Sequence, residues 1–174
     1  AEGQVLATAE RRGPVQLAAN GITPCTPETP ALYTLRVTVT ANGTADTTEQ
    51  RIGIRTIQVS SKTGLLLNGQ PRTMKGGCIH HDLGILGAAD HAAAERRRIR
   101  LMKESGFDAI RAAHNPFGPA FLDACDELGM LVVEEAFDEW VMGRTSFGLH
   151  VTFEQCWEKD LEGMIPRDYH HPCI

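Results

Sequence analysis

Between Lys75 and Trp140 the sequence alternates between short apolar runs and longer amphipathic ones, and each short run ends in a polar cluster. The clusters are Ile79-His80-His81-Asp82, Arg111-Ala112-Ala113-His114-Asn115 and Glu134-Glu135-Ala136-Phe137-Asp138-Glu139-Trp140. The pattern reads as strand, helix, strand, helix, strand. Three successive strands that deliver His, Arg and carboxylates at the same end describe one face of a parallel α/β structure. In a barrel of this kind, sites are built at the carboxyl ends of the strands.

Local signals divide this stretch. Lys75 to Ile79 is a short strand, followed by a loop with Gly84 and Gly87. Asp90 is the expected N-cap of a helix to Ser105, and Gly106 ends that helix. Phe107 to Arg111 is the second strand. Pro119 suits the first turn of the next helix, whose apolar stripe is Phe121, Leu122, Cys125 and Leu128. Gly129 closes it, and Met130 to Val133 is a strand of the fully buried type. Phe153, Trp157, Leu161, Met164 and Ile165 mark a third helix, with Pro166 at its end. His170 to Ile174 leads towards a further strand. Such repeating βα units give a barrel or an open doubly wound sheet. The first strand is not followed by GxGxxG, and no P-loop occurs, so a nucleotide site is not supported.

The chain before this stretch is different. Val5-Leu6-Ala7 and Val15-Gln16-Leu17 are candidate short strands, and Pro24, Pro27 and Pro30 suit an extended connector. Ala31 to Thr40 is a strand with Tyr33, Leu35, Val37 and Val39 on one face. Asn42-Gly43 supplies a turn, with Asp46 continuing the loop, and Arg51 to Ser60 is the next strand. Leu65 to Leu67, Asn68-Gly69 and Gln70 to Met74 form a hairpin. Residues 1–62 therefore read as part of an all-β unit, and residues 63–174 as an α/β unit.

A net charge of −5 argues against a nucleic-acid partner, which needs a basic stripe. The one basic run, Arg96-Arg97-Arg98 with Arg100, lies in a helix and reads as a solvated face. No apolar run reaches about 18 residues, so no membrane span is expected. The five Cys are odd in number and lack CxxC spacing, which favours buried thiols over a disulfide framework. The first residues lack the basic-then-apolar pattern of a secretory signal. A cytoplasmic location is expected on these grounds.

Three groups could carry chemistry. His80, His81 and Asp82 read as a capped loop, as part of a metal site, or as a donor set for a polar ligand. Arg111 sits at a strand end, where an unpaired charge would be costly, so an acidic partner inside the barrel is expected. Glu134, Glu135, Asp138 and Glu139 are four carboxylates in six residues. Glycoside hydrolysis needs two carboxyl groups on opposite sides of one bond, about 5 to 9.5 Å apart. Two acids on one strand end rarely achieve that, so stabilising Arg111 or positioning a ligand is the favoured role. Trp140 offers a stacking surface or a core ring.

Longer phrases resemble glycoside hydrolase family 2, the family of β-galactosidases, β-glucuronidases and β-mannosidases. Ile52-Gly53-Ile54-Arg55 is similar to the end of its immunoglobulin-like domain, and Leu67-Asn68-Gly69-Gln70-Pro71 to its entry into the barrel. Lys75 to Asp82, Leu101 to Pro116, Asp126 to Glu135 and Arg167 to Pro172 resemble its successive barrel segments. The resemblance implies a partial immunoglobulin-like β-sandwich in residues 1–62, then the first three βα units of a (β/α)8 TIM barrel in residues 63–174. It implies a retaining hydrolase of terminal β-linked sugars, closest to the β-galactosidase branch. Its acid/base and nucleophile Glu are both expected beyond Ile174, so the 174-residue chain alone is expected to be inactive. His80, His114, Asn115 and Asp82 match substrate-binding positions, and Arg111 one that orients the nucleophile. Glu139 matches a carboxylate that binds Mg²⁺ in some β-galactosidases, although the second metal-binding His falls near Val141 or Met142. Glu134 and Asp108 also depart from the family's usual Asp and Asn. No cofactor is required on this reading, with Mg²⁺ as the one candidate. A carbohydrate is the expected partner, and open strand edges imply self-association or dependence on further chain. Two rivals remain. One is a non-catalytic carbohydrate-binding or scaffold module. The other is a metal-dependent hydrolase using His80, His81, His114 and the acids of the third strand.

Overall fold

The computed structural model describes residues 3–10 and 13–174. The elements run β1 (Leu32–Ala41), β2 (Thr44–Gly53), β3 (Ile57–Ser60), β4 (Gly64–Leu67), β5 (Gln70–Pro71), β6 (Gly76–Ile79), α1 (Ala92–Glu104), β7 (Ala109–Ala112), α2 (Pro119–Leu128), β8 (Leu131–Glu134) and α3 (Phe153–Asp168). Two antiparallel sheets precede one parallel sheet, so the chain is α/β with an all-β first part.

Both Asn-Gly turns form as expected. Asn42 and Gly43 have φ of 50° and 78°, and Asn68 and Gly69 have 52° and 76°. Positive φ at both central residues belongs to the turn whose twist matches paired strands. The first turn is tight enough for pairing to resume at Thr44, so Asp46 lies opposite Val39 in the ribbon, not in a loop. The expected strand from Arg51 to Ser60 is instead split: β2 ends at Gly53, and Ile57 starts β3 against β4. Val5-Leu6-Ala7 and Val15-Gln16-Leu17 do not form strands, because no neighbouring segment pairs with them. On β1, Val37 and Val39 are 50% and 63% exposed, so the expected apolar face lies open.

The parallel sheet has the order β6-β7-β8, with α1 and α2 as the crossovers. Its core comprises Ile99 of α1, Phe121, Leu122, Ala124 and Cys125 of α2, Ile110, Ala112 and Val132 of the strands, and Phe117, Met130 and Cys173. Full burial of one such large side chain contributes roughly 2 kcal/mol. α2 starts on Pro119 and ends on Gly129, whose φ is 68°. A Cβ at Gly129 would also lie 2.3 Å from the Pro27 carbonyl oxygen. Lys103 Nζ donates to Pro27 O at 2.7 Å and to Gly129 O at 2.6 Å, pinning the Pro-rich connector to the helical layer. Burial lowers the Lys103 pKa.

Three helix readings change. His91, not Asp90, occupies the N-cap of α1. The Asp90 carboxylate instead accepts the Ala120 N–H at 3.4 Å, at the start of α2. Pro166 lies inside α3, and Tyr169 N–H donates to Ile165 O at 2.9 Å to finish the last turn. Of the α3 stripe, only Phe153 is buried, while Trp157 and Ile165 are exposed. The segment 170–174 is a turn, although Val132 N–H donates to Cys173 O at 2.7 Å.

Asp126 and His171 anchor that turn. His171 Nδ1 lies 2.6 Å from Asp126 Oδ2, and Cys173 N–H donates to Asp126 Oδ1 at 2.9 Å. Burial alone would push the His171 pKa down, but the Asp126 hydrogen bond and the charges of Asp126, Asp123 and Asp168 outweigh it and hold it above the ordinary value. Among the described residues no helix is long and apolar enough to cross a membrane. All five Cys are free.

Candidate functional site

Alternation along β6, β7 and β8 sends successive side chains to opposite faces. Ile79, Ile110, Ala112 and Val132 enter the core beneath α1 and α2. Cys78, Arg111 and Val133 are direct neighbours in register on the other, open face. Cys78 is thus exposed rather than the buried apolar thiol expected, whereas Cys25, Cys125 and Cys173 are buried. Desolvation pushes the Cys125 and Cys173 thiols well above their ordinary pKa.

Arg111 finds its acid just past the end of β8. Its Nε donates to Glu135 Oε1 at 2.7 Å, and Nη2 lies 2.6 Å from the same oxygen. Its remaining nitrogen, Nη1, donates to Cys78 Sγ at 3.3 Å. The bond to Cys78 and then that to Glu135 raise the guanidinium pKa above its usual value. The Arg111 side chain is still 45% exposed, so the pair faces open space. Glu135 Oε2 lies 3.1 Å from His114 Nδ1. A carboxylate held against a guanidinium accepts, so Nδ1 carries the hydrogen and Nε2 is left for a ligand. The His80 ring centre is 5.0 Å from that of His114. Asp138 Oδ1 lies 3.9 Å from His114 Nδ1 and pairs with Arg144.

The structure therefore gathers His80, Arg111 and His114 and adds Glu135 as the common acidic partner of Arg111 and His114. The other expected residues are placed differently. The Asp82 carboxylate accepts the Gly84 N–H at 2.8 Å and caps its own turn. Asn115 offers its carbonyl oxygen 3.2 Å from His81 Nε2. The His81 ring stacks on Phe117 at 4.0 Å, and Phe117 meets Phe121 at 4.4 Å, so this loop rests on the core. Arg98 secures it further by donating from Nη1 to His80 O at 3.0 Å and to Asp82 O at 3.2 Å.

Two of the four clustered carboxylates have buried side chains. Glu139 is held at 2.8 Å by His150 Nδ1 and closed in by Gly148. Mg²⁺ prefers several oxygen donors in an octahedral arrangement. Here one oxygen of Glu139 is engaged by an imidazole, and among the described residues the three-ligand cluster is Asp126, His171 and Cys173, at the far turn. Glu139 thus stands in a carboxylate–imidazole pair, outside that cluster. Glu134 points to the helix-covered side, its side chain 5% exposed. Arg167 Nε and Nη2 donate to Asp168 at 2.5 and 2.7 Å, while Arg167 Nη2 is 3.9 Å from Glu134 Oε1. That oxygen has no hydrogen-bond partner. Burial first, and then the Asp168 charge, push the Glu134 pKa up to about 7.

Trp140 is 63% exposed, with its ring 5.9 Å from Phe137 and 5.7 Å from Phe153. A cleft between the strand-end loops and α3 is lined by Asn115, Phe137, Lys159, Asp160, Met164 and Arg167. Sequence reasoning did not find the roles of Cys78 and His150. The Cys78–Arg111 contact depends on strand register, and His150 lies in a single 3-10 turn, Leu149–Val151, too short to show periodicity.

The family model described as "Glycosyl hydrolases family 2, TIM barrel domain" matches residues 57–174, and that described as "Glycosyl hydrolases family 2" matches residues 23–55. The β-galactosidase BoGH2A of Bacteroides ovatus is 40% identical over 148 residues, which are 84% of this chain and 17% of that protein. A crystal structure of a glycosyl hydrolase family 2 member from Bacteroides cellulosilyticus superposes with a TM-score of 0.86 at 41% identity, covering 90% of this chain and 20% of that one. The β-glucuronidase of Parabacteroides merdae superposes with a TM-score of 0.75 at 29% identity, covering 91% and 20%. The chain thus spans about a fifth of each of these proteins. With the TIM barrel family model running across the strands that carry the His80–Arg111–His114 group and the other model directly before it, the chain belongs to glycosyl hydrolase family 2.

Proposed function

We propose that this chain supplies one wall of the active site of a retaining glycoside hydrolase acting on terminal β-linked sugars, with β-galactosides as substrates. On this reading residues 1–62 are part of an immunoglobulin-like sandwich, and residues 63–174 carry the first three βα units of a TIM barrel. The observation that carries it is the Arg111–Glu135–His114 group, with His80 beside it, at the carboxyl ends of three parallel strands. His80 and His114 bind sugar hydroxyls, with Asn115 and Asp82 at the margin. Arg111 is placed to orient a catalytic carboxylate, and Trp140 offers a ring for stacking.

The acid/base and the nucleophile are Glu residues on later strands. Supporting this, none of this chain's clustered acids is free to form a pair across a glycosidic bond. Glu135 is engaged by Arg111 and His114, Glu139 by His150, and Glu134 is buried under α3. Galactosides are favoured over uronides because the Bacteroides ovatus relative at 40% identity is a β-galactosidase, while the Parabacteroides merdae β-glucuronidase is 29% identical. The rival metal-dependent hydrolase is weakened because His81 stacks on Phe117 instead of joining His80 and His114. No cofactor step is needed, and five free thiols support a reducing, cytoplasmic setting.

The test compares the 174-residue chain with the complete protein encoded by its gene, each assayed on an aryl β-galactoside and an aryl β-glucuronide. The expected result is turnover of the galactoside by the complete protein only. Turnover by the 174-residue chain itself, or preference for the glucuronide, overturns the reading.

A further inference from the structure

We propose that Cys78 is a positioning residue of this site: its sulfur is the second anchor that holds the Arg111 guanidinium in place against Glu135. The proposal rests on the reading of this face as a sugar site, and it concerns a side chain to which that reading gives no role.

Cys78 and Arg111 are direct partners across β6 and β7, so the contact is fixed by strand register and not by a flexible loop. The guanidinium is a rigid planar fork. Its Nε and Nη2 edge converges on one oxygen of Glu135, at 2.7 and 2.6 Å. Two donors sharing one acceptor atom leave the plane free to rock about that oxygen. The Nη1 to Sγ contact, at 3.3 Å on the other side, supplies a third point and stops the rocking. Glu135 passes this order on, because its second oxygen holds His114 Nδ1 at 3.1 Å and so aims Nε2 of that ring.

The chemistry of the thiol suits this task. A thiol sulfur is a weak, neutral acceptor. It steers Nη1 without neutralising the guanidinium, so Arg111 keeps its positive charge for a carboxylate. An Asp at the same position would compete directly with Glu135 for the fork. An Ala would leave Nη1 to water. Cys78 lies on the open face, outside the core beneath α1 and α2, so its replacement leaves that core intact.

The experiment is nitrogen-15 NMR of the Arg111 Nε–H group in the complete chain, with its exchange rate with solvent as the readout. Cys78→Ala is expected to raise the exchange rate by about 3- to 10-fold, the equivalent of one modest hydrogen bond. Cys78→Ser restores the slow rate, and Cys78→Asp moves the resonance furthest by drawing the fork from Glu135. Unfolding midpoints stay unchanged, which separates positioning from a structural role. Should Cys78→Ala fail to fold, Cys78→Val, close to Cys in size and without an acceptor, gives the same readout. An Arg111 signal indifferent to Cys78→Ala or to Cys78→Val, but lost in Glu135→Gln, overturns the proposal. Adding D-galactose to the complete protein separates the two claims. If Arg111 answers to Cys78 but galactose perturbs neither histidine, the positioning role stands and the sugar-site reading falls.

Discussion

The two faces of the β6-β7-β8 sheet are made by alternate residues of the same strands, yet they obey different rules. On the helix-covered face Ile110, Ala112 and Val132 are almost fully buried, and Glu134 is buried with them. On the open face Cys78, Arg111 and Val133 are exposed, and polar groups bond one another. One face therefore carries the hydrophobic core beneath the helices, and the other presents the polar group proposed as a sugar site. The division sharpens at residues 134 and 135. These adjacent glutamates differ by one step of the strand's alternation. Glu134 is desolvated beside Asp168, while Glu135 is ordered by Arg111 and His114.

The largest effect belongs to the covered face. Phe121 is fully buried in α2 and packs against Phe117. Phe121→Ala should cost about 3–5 kcal/mol in a denaturant titration, the range for a large aromatic removed from a close-packed core. Because Phe117 also carries the His81 ring, the same change should broaden the His81 NMR signal. It should leave the Arg111–Glu135 pair in place, since that pair lies on the other face. A loss of stability near zero would mean that the helices are not what holds the sheet.

Next comes a pH effect on the same face. Glu134 ionises at about 7 in the fold against an ordinary 4.5. Between those values the folded state holds a proton that the unfolded chain has released, so stability falls as pH rises through this window. His171 acts in the same direction, since its folded pKa is raised and its contribution fades as pH rises through that value. Glu134→Gln isolates the first contribution. The variant should lose on the order of 1–3 kcal/mol of the decline that the parent shows between pH 5 and pH 8. If parent and variant decline alike, the titration of the buried Glu134 is not the cause.

Much of the architecture was legible because it rests on local chemistry. Asn42-Gly43 and Asn68-Gly69 need φ above zero, Pro119 suits a first helical turn and Gly129 a left-handed cap, so these four signals located two hairpins and one helix. What failed depends on distant partners. Asp90 resembles an N-cap for α1, but tertiary packing brings the N–H of Ala120 to its carboxylate. Val37 and Val39 alternate as a buried face does, yet alternation does not reveal whether anything covers it. For the site, Arg111 announced its need of an acid but not which one. Four carboxylates were candidates, and strand register together with the side taken by the helices selected Glu135. Cys78 joined the group for the same reason, as its exposure follows from the face and not from its apolar neighbours.

The smallest expected effect is also the most direct comparison of the two faces, because it uses neighbours in one strand. Val132 packs in the core under α2, and Val133, opposite Arg111 in register, is 45% exposed. Threonine matches valine in shape and adds a hydroxyl. At 132 that hydroxyl lies among Ile110, Leu122 and Met130, so it loses water without a built partner. Val132→Thr should cost about 1–3 kcal/mol by the penalty for burying an unpaired polar group. At 133 the hydroxyl stays solvated, and Val133→Thr should change stability by less than about 0.5 kcal/mol, as exposed substitutions do. Thermal or denaturant unfolding of the pair measures the difference directly. Equal costs at the two positions in the 174-residue chain would mean that its open face is covered in solution by a second copy.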